Sequence, residues 1–515
     1  MDFGRWSHGT KLAGTRVPGK SSLAEGASRE ALRTRGCGKA ALLVLFALTA
    51  PIARADGVVA TGQNLTLEEC LRSAMENNHR RPASAFALQI AEAQHRQALA
   101  GYWPQVTMKT GFQRMDEAPD FLFPASNFTV PAQTINLPPG VPLPPIHIDA
   151  QSLQIPAQDV KLMDRDTYSA SVNATWLLWD GGMRRGLGQQ AKGGVDIAKT
   201  DVRRTELEIQ DSVTRMYYGA VLARQLHQVG QDTLARMEAT LTLTETMYKE
   251  GSGKVKKTDY LDNKVMVETI RATVALLEKN EAMSQAALAN TMGMDWRSNV
   301  LPAAQEIPFE PYTANLEELV GTAYRGNLDW AKLEAGINSL EGAETTAKSG
   351  HMPKLAMTVD LHRMWNDYEA GIATDRNKKG WTLGLGVEIP IFNGNLIKNQ
   401  VREAHARLEK TREEQFLLKE GIGLMVKDNL LSLIATGKAL EATGEAMKAA
   451  TENRDLNTRA YQKELVDTQD VIKAQLIESL MTAQHLKNRF DYAALQSQLT
   501  LIIGNEVWKQ LRIGP

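Results

Sequence analysis

The sequence predicts a mainly α-helical protein with a small β part, built from two copies of one plan. Three observations predict it. A block of almost fifty residues recurs at an offset of 249. Two stretches of about 65 residues contain no proline. Four segments of about ten residues alternate apolar with polar side chains.

The repeat reads directly from the text. "LEECLRSAMENN" begins at Leu67 and "LEELVGTAYRGN" at Leu316. The offset of 249 also carries Ala74 to Ala323, Asn78 to Asn327, Gly101 to Gly350, Pro104 to Pro353 and Arg114 to Arg363. Further on the offset is 213, where "WDGGMRRG" at Trp179 meets "FNGNLIKN" at Phe392 and Tyr248 meets Tyr461. The difference of 36 residues is an insertion in the first copy, between residues 115 and 166. Nine of the 19 prolines lie there, from Pro119 to Pro156. Such a segment predicts a long extended loop, not helix or central strand.

In chain order, residues 1–55 read as an export signal. Arg33, Arg35 and Lys39 precede the apolar run "AALLVLFALTA", and Ala53-Arg54-Ala55 follows as a small-x-small cleavage site. The run is too short to cross a bilayer as a helix. The stretch before Arg33 is longer than a usual signal and fits a start codon placed too early. The leader takes nine basic and three acidic residues with it, leaving 50 basic against 57 acidic, a net of about −7. Only Cys70 then remains, so no intrachain disulfide is expected. The first repeat is expected over 56–310, the second over 311–503, and a tail over 504–515.

Each repeat opens with a helix of about 35 residues, 66–101 and 315–350. Strands follow, at 104–114 and 167–179 in the first copy and at 354–364 and 380–391 in the second. Val106, Met108, Thr110 and Phe112 share one face of the first strand, and Thr107, Lys109, Gly111 and Gln113 the other. Trp381, Leu383, Leu385 and Val387 oppose Thr382, Gly384, Gly386 and Glu388 in the fourth. Two readings of this alternation stand. One is a soluble antiparallel sheet with one wet face. The other is a membrane barrel, apolar toward lipid and polar toward a water-filled lumen. Trp176, Trp179 and Trp381, near strand ends, suit the aromatic rims of the second. Four strands cannot close a barrel and open edges are not tolerated in lipid. The membrane reading therefore needs several chains, and a trimer would supply twelve strands.

The proline-free stretches predict helices about 100 Å long. Val401, Ala404, Leu408, Thr411, Gln415, Leu418, Ile422 and Met425 step by three and four, as a coiled-coil seam does; Val195, Ala198, Val202, Thr205 and Ile209 do the same. Two shorter helices stacked end to end match each long one: 66–101 with about 258–295, and 315–350 with about 465–503. The tips between long and short helices fall at 249–257 and 462–467. The first, "MYKEGSGKVKKTDYL", is not a phosphate-binding loop. Gly253-Lys254 is followed by Val255, the position five before Gly253 is Tyr248, and a helix precedes it where a strand is needed. The equivalent "YQKELVDTQDVI" has no glycine at all.

"LTLEECLRSAMENN", "AEAQHRQALAGYWPQVTMKTGF", and "WLLWDGGMRRG" with its partner "IPIFNGNLIKN" resemble the TolC family of outer-membrane efflux proteins over residues 65–503. The resemblance implies a homotrimer. Its twelve-stranded barrel would sit in outer-membrane lipid, continuous with an α-barrel of coiled helices through the periplasm. It implies a passive exit duct, docked to a periplasmic adaptor and an inner-membrane transporter of RND or ABC type. The insertion then falls on the extracellular side. Asp470, nine residues after Tyr461, matches an aspartate that narrows the periplasmic entrance in this family. A second acidic position three residues later is Lys473 here, so a double carboxylate ring is not implied. Asp467 and Asp259 are the further constriction candidates. Gly251, Ser252, Gly253, Lys254, Glu464, Leu465 and Val466 are the candidates for docking the adaptor, with Lys256 and Lys257 beside them.

No HExxH, no close His/Cys/Glu cluster and no GxSxG with triad partners appears, so no enzyme, metal site or cofactor is expected. The near-neutral charge gives no sign of nucleic acid. The alternative to a duct is a secreted coiled-coil scaffold without a channel.

Overall fold

The computed structural model describes residues 63–135, 144–251, 255–312, 315–367 and 378–504, all within one compact unit, Val59–Pro515. The leader and all of the tail but Gly504 lie outside the described residues.

The chain begins with β1 (Gln63–Leu65), α1 (Leu67–Asn77), α2 (Arg80–Ala100) and β2 (Gln105–Arg114). Six short strands follow: β3 (Asp120–Phe123), β4 (Ser126–Val130), β5 (Gln133–Ile135), β6 (Ile146–Ile148), β7 (Gln151–Ile155) and β8 (Gln158–Lys161). The chain returns through β9 (Asp166–Trp179) into α3 (Met183–Lys249) and α4 (Lys257–Thr291). The second copy, linked through β10 (Val300–Pro302), runs α5 (Leu316–Gly326), α6 (Leu328–Ser349), β11 (Lys354–Trp365), β12 (Lys379–Glu388), α7 (Leu396–Gln462) and α8 (Thr468–Ile503). β1 and β10 pair in parallel, a contact with no sequence signal of its own.

The single helices expected over 66–101 and 315–350 are each broken, at equivalent asparagines. Asn78 (ψ 119°) leaves the helix, its Oδ1 accepts from Arg80 N at 2.9 Å, and its Nδ2 donates to the Thr291 carbonyl at 2.8 Å. Asn327 (ψ 126°) accepts from Trp330 N at 3.0 Å and donates to the Ile502 carbonyl at 3.0 Å. Each side chain thus follows the end of one helix, accepts a backbone N–H at the start of the next, and satisfies a carbonyl in the last turn of the helix stacked beyond it.

Both long helices have 67 residues, about 100 Å. The α7 seam holds from Val401 to Ile422 and then passes to buried Val426; Met425, the expected next member, is exposed. A straight helix drifts against a strict 3.5-residue repeat, so a seam must take extra steps of four. α7 packs against α5, α6 and α8 of its own copy. α3 packs against α2 and α4, as expected, and also against α6 and α8 of the other copy. The α3–α6 approach is close. A Cβ on Gly186 would stand 2.5 Å from the Gly342 carbonyl oxygen, and one on Gly342 would stand 2.7 Å from that of Gly186.

The apolar core is concentrated where the short helices meet. Ile209, Val213, Tyr217, Leu288 and Met292 form one cluster, and Leu319, Ile422, Val426, Leu433 and Leu499 the other. Toward the tips, among the described residues, Met237, Val267 and Ile472 form a further, smaller cluster.

The insertion differs most from expectation. It is extended, but it folds back on itself: β3 pairs with β8, β4 with β7 and β5 with β6, all antiparallel. Pro119, Pro124, Pro131 and Pro156 fall outside these strands, at the ends and breaks of the ribbon. Proline removes a ladder donor, so it interrupts pairing without preventing it between breaks.

Candidate functional site: sheet and tip

The four long strands form one antiparallel sheet in the order β12–β11–β9–β2. Register aligns like with like. Met108, Val172, Leu361 and Trp381 form one cross-strand row, and Val106, Ala174, Val359 and Leu383 the next. On the opposite face Lys109, Ser171, His362 and Gly380 align, then Thr107, Asn173, Asp360 and Thr382. The apolar face is open to the surroundings, with Met108 68%, Leu385 69% and Trp381 72% exposed. β2 and β12 are the edges, each paired on one side within this chain.

The three tryptophans lie at opposite ends of the sheet. Trp179 pairs with Leu355 at the helix end, and Trp176 with Met357 next to it. Trp381 pairs with Leu361 toward the far end. Trp176 Nε1 donates to the Tyr102 carbonyl at 3.0 Å. Sequence reasoning missed further aromatics at the far end. Phe112 meets Tyr168 with ring centroids 4.8 Å apart, and Trp365 pairs with Tyr168 in register. Only the pairing of β9 with β2 and β11 brings these rings to one level.

An ion pair fixes the passage from sheet to helix. Arg184 Nε donates to Asp180 Oδ2 at 2.7 Å, with both side chains buried. Its NH1 group donates to the Leu177 carbonyl at 2.6 Å and the Gly101 carbonyl at 3.3 Å. Burial works to raise the Asp180 carboxyl. The N–H groups of Arg184 and Gly182 and the guanidinium outweigh it, holding that carboxyl below the usual range.

At the other end of the helices the two tips enclose a cleft of about 350 Å³. Asp259, Asp467, Asp470, Glu464, Leu465 and Val466 all line it. Asp467 and Asp470 are exposed and Asp259 is half-buried. Asp467 is the N-cap residue of α8, and Asp470 lies in its first turn. Asp259 takes the same place in α4, where its Oδ2 accepts from Lys256 N at 2.9 Å. Leu465 is 72% exposed, an apolar side chain at the tip of the turn. The chain reverses through left-handed residues at equivalent positions, Gly251 (φ 71°) and Glu464 (φ 57°). Ser252, Gly253 and Lys254 lie outside the described residues. Among the described residues, no three His, Cys, Asp or Glu side chains are grouped to hold a metal ion.

A buried hydrogen-bond chain lies above the cleft. Tyr461 OH is 2.8 Å from Thr244 Oγ1 and 2.9 Å from Thr468 Oγ1. Thr244 donates its one proton to the Thr240 carbonyl at 2.7 Å and accepts from Asn263 Nδ2 at 3.2 Å. Tyr461 must therefore donate to Thr244, and Thr468 to Tyr461. Higher up, Glu478 receives Arg236 and Arg454, each at 3.0 Å, tying α3, α7 and α8 together. The only trace of this chain in the sequence is the alignment of Tyr461 with Tyr248.

The family model described as outer membrane efflux protein matches residues 70–294 and 319–505. Nodulation protein T of Rhizobium leguminosarum bv. trifolii is 20% identical over 341 residues, 66% of this chain and 72% of that protein. Outer membrane protein TolC of Salmonella enteritidis is 20% identical over 381 residues, 70% of this chain and 75% of that one. The crystal structure of the outer membrane protein VceC of Vibrio cholerae superposes with a TM-score of 0.64 at 15% identity, over 85% of this chain and 96% of that chain. That likeness shows the fold. Sheet, paired long helices and family match agree: the chain belongs to the outer membrane efflux protein family and is a protein of the outer membrane that extends into the periplasm.

Proposed function

We propose that three copies of the chain join into a passive exit duct. β2 of one copy pairs with β12 of the next, giving twelve strands closed into a barrel in lipid, and the long helices continue it as a tunnel. The observation that carries this reading is the sheet itself: one face apolar and exposed, the other polar, and two edges each without a second partner strand among the described residues. In hydrocarbon such edges must pair, and closure with other copies is the arrangement that pairs them. Trp179 and Trp176 on one side and Trp381 on the other then sit at the two rims, where aromatic girdles belong. Exposed apolar residues along the helices, among them Leu261, Val265 and Leu276 on α4 and Leu417 and Leu424 on α7, supply contacts between copies and with a partner.

At the tip, three-fold symmetry gathers Asp470 and Asp467 of each copy around one axis, with Asp259 behind them. A ring of carboxylates attracts cations and resists anions. Gly251, Glu464, exposed Leu465 and Val466 face the periplasm, where an adaptor brings an inner-membrane pump to the duct. The driving energy is then the pump's.

The reading is tested by extraction and conductance. The exported protein is expected to resist salt, to require detergent, to have the mass of a trimer there, and to conduct ions in planar bilayers. A protein soluble after export and without conductance would be the secreted scaffold instead.

A further inference from the structure

The barrel and tunnel proposed above leave the ribbon built by the insertion unaccounted for. Its middle pair, β4–β7, has one mainly apolar face and one polar face. Register places Phe128 opposite Leu153, with Val130 and Ile155 on the same face and the polar Ser126 and Gln151 at its two ends. Asn127, Thr129, Ser152 and Gln154 make up the other. Phe128 is 66% and Leu153 62% exposed. A two-stranded hairpin is marginal in water by itself, so a face of this kind stands to gain from a cover.

We infer that the apolar face of β4–β7 packs against the same ribbon of the neighbouring copies, so that three ribbons associate outside the barrel. This rests on the trimeric duct proposed above. Three features favour a second copy over other occupants. Continuity is the first. Met115 N donates to the Arg165 carbonyl at 3.0 Å and Leu162 N to the Pro119 carbonyl at 2.8 Å, so the β2–β9 pairing runs on toward β3 and β8. The ribbon therefore springs from the sheet edge at which copies would join. Three ribbons rise from one rim, and the copies are already held at high effective concentration. A patch on the order of 400 Å² is too small for an interface alone, and is adequate as an extension of one. Charge is the second. Asp149 is the only Asp, Glu, Lys or Arg from Phe121 to Gln158, while the root carries both signs, Asp116, Glu117, Asp120 and Asp159 beside Arg114, Lys161 and Arg165. A face resting on an anionic bilayer would carry Lys or Arg beside it, and from Phe121 to Gln158 there is neither. The prolines are the third. They punctuate both edges of the ribbon, which works against strand addition by a foreign peptide and leaves the face as the contact.

Single cysteines in the exported protein, with Cys37→Ser as well, test this, since Cys70 is wholly buried and does not compete. Under mild oxidation in membranes, Leu153→Cys is expected to give disulfide-linked dimers, and Gln154→Cys, on the other face, several-fold fewer. Equal yields, or none, in protein that keeps a trimer's mass in detergent overturn the ribbon contact and leave the duct intact. A monomer's mass removes both. Quenching by brominated lipid of a fluorophore attached to the Leu153→Cys variant also overturns the proposal, in favour of membrane contact.

Discussion

Tyr248 and Tyr461 occupy equivalent last turns of α3 and α7, and their surroundings differ. Tyr248 is 39% exposed and stacks on Tyr260 with ring planes 6° apart. Tyr461 is 4% exposed, and its hydroxyl is held by Thr244 and Thr468. The opposite ends of the same helices repeat the lesson. The first copy uses the buried Asp180–Arg184 pair, with Arg184 lying 3.6 Å from where a Cβ on Gly101 would stand. The second has Asn393 and Ile397 at the equivalent places, and Ile397 lies against Gly350. The backbone turn points agree between copies: Gly182 and Asn395 are both left-handed, as are Gly251 and Glu464. Duplication has kept the geometry of each reversal and let the side-chain chemistry at it diverge.

The largest effect is expected at the junction. Arg184→Met strands a buried carboxylate and should cost about 3–5 kcal/mol, read as a lower unfolding midpoint in detergent. Asp180→Asn with Arg184→Ile writes the second copy's residues into the first and should recover most of that loss, because a buried pair and its apolar replacement are close in stability. Acid sharpens the contrast. The folded Asp180 titrates below its unfolded value, so its contribution is present above about pH 4 and is lost as pH falls through the folded value. The double variant should lack that loss.

A smaller effect is expected at the tyrosines. Tyr461→Phe leaves buried hydroxyls short of a partner and should cost about 1–3 kcal/mol, seen as faster amide exchange around the α7–α8 turn. Tyr248→Phe should stay within about 0.5 kcal/mol. Equal effects would mean that the two tips are held alike. Gly251→Ala meets open space but keeps a left-handed backbone, so a cost of about 1 kcal/mol is expected, with faster proteolytic nicking at the first tip. The acids are separated less by stability than by conductance. Asp259→Ala loses its bond to Lys256 N, about 0.5–1 kcal/mol, and should leave conductance alone. Asp470→Ala should raise conductance and weaken block by multivalent cations; unchanged channels would remove Asp470 from the constriction.

Much of the fold was legible because its signals are local. Strand faces follow a period of two, so Val106 to Phe112 and Trp381 to Val387 declare their faces before any partner is known. The breaks at Asn78 and Asn327 are weakly marked, by Pro82 in one copy and Gly326 in the other, with no signal shared at equivalent positions; each asparagine also bonds a carbonyl on α4 or α8 that the local sequence does not show. In the insertion the nine prolines masked the alternation between them, although "SNFTV" and "QSLQI" each carry it. The cleft gathers the candidate acids Asp259, Asp467 and Asp470. The fate of Tyr461 was beyond the sequence, since its partners Thr244 and Thr468 lie on two other helices.

The position of α3 between the two copies bears on how the chain is made. α3 is finished before any residue of α6 or α8 has been synthesised, yet both cover it. Its apolar flank must wait, uncovered, for segments from the far end of the chain, which is the condition that favours chaperone capture and aggregation. A chain stopped before Thr468 would lack a neighbour of both long helices, so the first copy is not expected to mature alone.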